Sequence, residues 1–296
     1  MNEIVSPATI AQRRYVEMLS AYHPDLYARW ADPLGRALDA PQLDSRSLEI
    51  VLSALCAVVH WAPAVIEQHI ERALDAGSNV GELLETMMRV GAQEGNHAMS
   101  SGGEALWDVI QRRQAEGRPV ELEGEPLGAE DLIPHSAWTP VLFPYHTPWP
   151  RNWRRAVETF DPDRAALEAE HNTALAKLPR HLSRRLHEAI DVVIDSVVRW
   201  KEPRIDHHVH EALNCGSNVQ ELVEMILAAA EEVQGARDSH VSGRPVEPGT
   251  EILCHGLSSI ERVLREREGV GRYTPLTYGD PAPDLQAIAP GSSRHD

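Results

Sequence analysis

Apolar residues along this chain recur three and four positions apart in long runs, the spacing of helices rather than strands. Ile66, Ile70, Ala73 and Leu74 fall on one helical stripe, and Gly77 follows where a left-handed residue closes a helix. Asn79 then stands as the cap of a second helix, with Glu82 completing a capping box. Leu83, Leu84, Met87, Met88 and Val90 continue the stripe. The same devices return at Gly216, Asn218, Glu221, Leu222, Val223, Ile226 and Leu227. A GSN stretch in each turn reads as helix punctuation rather than a phosphate cradle. Upstream lie two further amphipathic helices, SRSLEIVLSALCAVVHW and SRRLHEAIDVVIDSVVRW, and the flanks Tyr15 to Leu38 and Asp163 to Leu178 also read as helical. Only Val141 to Phe143 reads as a short extended piece. The pattern predicts an all-α fold.

The recurrence is a repeat. Residues 66–85 and 205–224 match at a fixed offset of 139, with eleven of twenty positions identical. Trp61 pairs with Trp200 and Glu49 with Glu188 at the same offset. Such a period is a domain's length rather than a solenoid's. The expected organisation is a first helical domain over residues 10–115, a linker over 116–155, a second helical domain over 156–270 and a tail over 271–296. Within the linker, Pro134, Pro140, Pro144, Pro148 and Pro150 stand among aromatics, which forbids helix and favours an extended crossover. The tail, rich in Pro, Gly and Ser, is expected to be disordered or to lie as an arm over a neighbour.

Composition narrows the function classes. A formal charge of −17 over 296 residues argues against a nucleic-acid partner. Cys56, Cys215 and Cys254 are odd in number and far apart, so neither a disulfide framework nor a structural zinc site is indicated. No secretory leader opens the chain and no apolar run is long enough to span a membrane, which makes a cytoplasmic location the expectation.

A histidine, three residues, then A-L-x-x-G and an acidic helix start, seen twice, resembles the carboxymuconolactone decarboxylase and alkylhydroperoxidase-D superfamily. The resemblance covers about two-thirds of the chain. It implies small helical domains that assemble into rings, and for a tandem chain a homo-oligomer, with a trimer favoured. In the peroxidase branch a CxxC pair precedes the histidine that aligns with His69 and His208. Those cysteine positions fall here on Ala62 and Val65, and on Lys201 and Arg204. Without the thiols, peroxidase and disulfide reductase chemistry is not expected.

The resemblance also carries a glutamate about twenty residues before the histidine. Glu49 precedes His69, and Glu188 precedes His208, by twenty. A carboxylate beside an imidazole is a tunable acid–base pair, and these four are the candidate catalytic residues. Trp61, His97, Trp200 and Arg204 are the candidate substrate-binding residues, with Arg46, Arg89 and Arg199 as further cations suited to a carboxylate. The leading expectation is a cofactor-free decarboxylase, lactone-acting or isomerase-type enzyme with a small carboxylate or lactone as substrate. A second reading is a metal-assisted hydrolase or isomerase using His207, His210 and Glu211, which share a helix face in the second copy alone. A third is a non-catalytic oligomeric binding protein on the same fold.

Overall fold

The computed structural model describes residues 7–59, 62–121, 181–198, 202–233 and 249–269, with a few residues between 159 and 166 and at 240–245. Ten helices are named among the described residues: α1 (Pro7–Tyr22), α2 (Pro24–Asp39), α3 (Ser45–Val58), α4 (Pro63–Asp75), α5 (Val80–Glu94), α6 (Asn96–Ala115), α7 (Arg184–Val198), α8 (Glu202–Asn214), α9 (Val219–Glu232) and α10 (Gly249–Gly269). Two residues at His240–Val241 and two at Arg244–Pro245 pair as a minimal antiparallel hairpin, which the apolar pattern does not reveal. The described residues are all-α otherwise. Val141 to Phe143, with the rest of the linker beyond residue 121, and the tail lie outside the described residues. No helix among the described residues is long and apolar enough to cross a membrane.

The flank from Tyr15 to Leu38, read as helical, is helical in two pieces that meet at His23. Pro24 has no amide hydrogen to donate and disfavours helix in the residue before it, so α1 must end there. Pro24 then suits the first turn of α2.

α3 and α7 form the centre. Ile50 to Val59 are buried without exception, as are Glu188 to Val198, so both helices are enclosed on every side. They pack on one another, and each also carries its own hairpin partner, α4 on α3 and α8 on α7. α5 lies against α3, and α9 against α7. The copies then cross: α9 also reaches α3, and α5 reaches α7.

The crossing is pinned by matched hydrogen bonds. Glu224 on α9 accepts from the backbone amides of Gln42 (2.9 Å) and Leu43 (2.7 Å), just before α3. Glu85 on α5 accepts from His181 (3.1 Å) and Leu182 (2.8 Å), just before α7. Each carboxylate thus holds the entry to the other copy's central helix. α1 and α2 lie across α9 and α10.

This asymmetric cover explains a departure from the expected core. Leu84 and Met88 are half-exposed at 50% and 45%, whereas their counterparts Val223 and Leu227 are buried. α2 covers that side of α9, with Gln220 Nε2 donating to the Pro33 carbonyl.

Both interhelical turns close as the sequence predicts. Gly77 and Gly216 each adopt φ 95°, and the capping boxes Asn79–Glu82 and Asn218–Glu221 are complete in both directions. No heavy atom lies within 4 Å of a Cβ built at either glycine, so the cost of a side chain there is backbone strain rather than collision. Gly77→Ala and Gly216→Ala should each lower stability by about 1 kcal/mol. The double variant should lose about twice that, the turns being independent. Urea midpoints measured at constant slope check both.

Candidate functional site

Because α3 and α4 form a hairpin, residues twenty apart face one another across it, and the same holds for α7 and α8. His69 Nδ1 lies 2.7 Å from Glu49 Oε2, and His208 Nδ1 lies 2.8 Å from Glu188 Oε2. Both histidines are buried. With Nδ1 held by the carboxylate, Nε2 of each ring is directed into the space beyond.

The groups in that space come partly from the other copy. In copy one, His69 Nε2 lies 3.4 Å from Glu232 Oε1 at the end of α9, and Cys56 Sγ on α3 lies 4.0 Å from the same oxygen. Arg72 sits 3.9 Å from Glu49, on the exposed side. Burial works against a charged imidazole, but hydrogen bonds to Cys56, Glu232 and Glu49 outweigh it and hold His69 up at about 11. Burial pushes the Cys56 thiol up to about 11, so it is a thiol rather than a thiolate at neutral pH.

Copy two is deeper and more highly charged. Glu188, Asp191 and Asp195 follow one another at i, i+3 and i+7 on α7 and are all buried. Arg89 crosses from α5 to bind Asp191 with two donors, Nε at 2.9 Å and Nη2. Arg184 Nη2 lies 2.5 Å from Glu188. His208 lies 3.4 Å from Asp191 through Nδ1 and 3.9 Å from Asp195 through Nε2. Burial alone would raise the pKa of Asp191, but Arg89 and His208 hold it below its ordinary value. Burial likewise opposes ionisation of Glu188, yet bonds from His187 and His208 hold it well below the carboxylate range. Burial disfavours the charged form of His208, and Asp191, Glu188 and Asp195 more than compensate, so its pKa is raised.

Asp195 differs. Neither of its oxygens accepts a hydrogen bond among the described residues, and Arg204 Nε approaches only to 3.3 Å. Burial therefore prevails and pushes Asp195 up to about 7. A carboxyl that exchanges its proton near neutrality, beside an imidazolium, is an acid–base arrangement.

Among the other sequence candidates, Arg204 lies at this site, as described. Arg46 does not point to a cleft: it pairs with the capping-box carboxylate of Glu82, as Arg185 pairs with Glu221 at 2.8 Å. His97 is exposed in the first turn of α6. Trp61, Arg199 and Trp200 lie outside the described residues.

His207, His210 and Glu211 do not gather as a ligand set. His207 meets His208 edge-on at 5.1 Å between ring centres, and His210 Nε2 lies 3.1 Å from Glu266. Burial, with Arg267 and His207 adding to it, holds the His210 imidazole down at about 2. Among the described residues the groups whose ligand atoms all lie within 4.8 Å are Cys56–His69–Glu232 and His187–Glu188–Asp191.

The sequence reading missed Asp191, Asp195, Cys56 and Glu232 as parts of a site. For the aspartates a signal was present. Acidic residues one and two turns beyond Glu188, in an otherwise apolar helix, have to be buried beside it. Glu232 carries no such signal, since its reach into copy one depends on the crossing of α9 over α3.

Glu211 is the least satisfied charge. It is fully buried, and neither oxygen finds a hydrogen-bond donor among the described residues. Burial and then Glu188 raise its pKa to about 8, against the smaller opposing pull of Arg184, His208 and Arg267. Folding therefore takes up a proton at Glu211 between its unfolded pKa of 4.5 and about 8, so stability falls as pH rises through that window. Glu211→Gln should stabilise the protein by ~2–4 kcal/mol at pH 8.5 and by little at pH 4.5. Thermal midpoints of the two proteins at both pH values check this.

No family model matches the chain, and no curated protein matches it. Among solved structures, a chain from Burkholderia xenovorans described as a gamma-carboxymuconolactone decarboxylase subunit is 19% identical, with 76% of this chain and 92% of that chain covered at a TM-score of 0.42.

Proposed function

We propose that the protein is an acid–base enzyme acting on a small organic acid or lactone, a tandem member of the carboxymuconolactone decarboxylase-like superfamily that has no CxxC thiols. The observation that carries this reading is the glutamate–histidine contact formed twice, at 2.7 Å and 2.8 Å, in a buried setting. Copy two is the working acid–base site in this reading, and its chemistry needs no cofactor. Glu188 fixes the ring of His208 and favours its charged form. His208 and Asp195 move the proton, and Arg204, partly exposed at the rim, holds a substrate carboxylate.

In a decarboxylation, the bond from the carboxyl carbon to its neighbour breaks, carbon dioxide leaves, and the electron pair stays on the neighbouring carbon. His208 then delivers a proton to that carbon and recovers one from Asp195 or solvent. In an isomerisation the same groups remove a proton α to a carbonyl and return it elsewhere. A homo-oligomer, with a trimer favoured, belongs to the same reading, and light scattering reports it.

The test is a screen of small carboxylates and lactones by NMR with wild-type protein and the H69A/H208A double variant. Turnover of one substrate class by wild type, lost in a folded double variant, supports the reading. An undiminished rate in the double variant removes both histidines from catalysis. Saturable binding of such ligands with no turnover makes the protein a binding module.

A further inference from the structure

The two glutamate–histidine sites differ in their surroundings in a way that gives copy one a separate property. We propose that Cys56, His69 and Glu232 form a binding site for a single zinc ion, with Glu49 as the group that orients the histidine.

The geometry comes from three helices. Cys56 Sγ projects from α3, His69 Nε2 from α4, and Glu232 Oε1 from the end of α9 in the other copy. Nε2 and Oε1 stand 3.4 Å apart, Sγ and Oε1 stand 4.0 Å apart, and all three ligand atoms lie within 4.8 Å of one another. Zinc bound tetrahedrally at 2.0–2.3 Å sets its ligand atoms about 3.3–3.8 Å apart, so only a small contraction is needed.

The orienting bond is already in place. Glu49 Oε2 accepts from His69 Nδ1 at 2.7 Å, which orients the ring so that Nε2 faces Cys56 and Glu232 and, once deprotonated, can bind the ion. Sulfur, imidazole nitrogen and one carboxylate oxygen form a donor set suited to zinc rather than to magnesium or calcium. The cysteine and histidine are buried while Glu232 is a quarter exposed, which leaves the fourth position on the side of solvent. When the ion binds, one proton leaves Sγ and one leaves Nε2, and both pass to solvent.

Copy two lacks the set. Asp195 stands where copy one has Cys56, and Gln93 is the counterpart of Glu232, so sulfur and the crossing carboxylate are both gone. The other close group, His187–Glu188–Asp191, already has its carboxylates bound by Arg184 and Arg89. The site is therefore a property of copy one and goes beyond the acid–base reading of copy two.

The experiment is titration of the full, chelator-treated chain with zinc, and separately with cobalt(II) as a spectroscopic probe. Wild type is expected to bind one zinc per chain, and its cobalt form to show a thiolate-to-cobalt charge-transfer band. Cys56→Ser should abolish that band, and Glu232→Gln should weaken zinc binding by tenfold or more. Glu49→Gln should weaken it by about 10–100-fold through loss of the orienting bond. Circular dichroism confirms that each variant is folded. His208→Ala should bind zinc as wild type does, so loss of turnover there with metal retained separates the two readings. No stoichiometric zinc on wild type, or stoichiometric zinc retained by the C56S/E232Q double variant, overturns the proposal.

Discussion

Arg89→Met is expected to destabilise the protein by about 3–5 kcal/mol, the largest stability effect of any single substitution considered. Arg89 leaves α5 and gives two hydrogen bonds to Asp191, whose carboxylate has no exposed surface. Methionine keeps most of the volume but removes the charge, so Asp191 is left ionised and fully buried, with His208 and His187 as its remaining compensation among the described residues. The chain then meets that cost by unfolding more readily or by protonating Asp191. Adding Asp191→Asn to Arg89→Met should recover a large part of the loss, because the destabilisation comes from the stranded charge. A double-mutant cycle by urea denaturation at pH 7.5 measures it. Additive losses would mean that Arg89 contributes by packing alone.

The largest effect on activity is expected from His208→Ala, a fall in kcat of about 10²–10⁴ against whichever small carboxylate or lactone proves to be the substrate. The reasoning rests on position. His208 lies 2.8 Å from Glu188 and 3.4 Å from Asp191, both held at low pKa, and 3.9 Å from the poised carboxyl of Asp195. In the proposed reading, removing it breaks the link by which a proton passes between Asp195 and the substrate. Asp195→Asn tests the partner role from the other side. It preserves shape but cannot titrate, so the pH–rate profile should lose the limb near 7. A merely structural Asp195 would lower the rate without moving the profile.

The repeat made most of the local structure legible. Gly77 and Gly216, followed by Asn79 and Asn218, were readable as helix closure and capping, because these devices depend on residues three or four apart. The glutamate–histidine contacts were legible for a related reason, since a fixed separation across a hairpin sets one side chain opposite the other. What lay outside the reach of local pattern was everything that depends on how the copies meet. Leu84 and Val223 hold equivalent places in the same stripe, yet only the second is covered, by α2. Arg89 and Glu232 look like ordinary helix residues in sequence, and become site residues only because α5 and α9 cross to the opposite copy.

The charge swap between the copies was similarly hidden. Arg72 stands near Glu49 in copy one, while its counterpart Glu211 stands near Glu188 in copy two. Arg184, where copy one has Ser45, supplies the missing cation. Arg267 on α10 shows the same drift. It bonds Asn214, the counterpart of Asp75, which Arg113 binds in copy one. Each exchange is sensible once the neighbours are known, and none is forced by the spacing of apolar residues.

The crossing of α5 and α9 also bears on inheritance. After a duplication, one half is usually free to decay while the other keeps the original task. Here each half contributes a side chain to the other's charged cluster, Glu232 to His69 and Arg89 to Asp191, across about a hundred residues or more of sequence. Lesions in this gene will therefore be misread if they are sorted by which half they strike. A missense change at Glu232 leaves every residue of the first half intact and yet removes the carboxylate that faces His69 and Cys56 there.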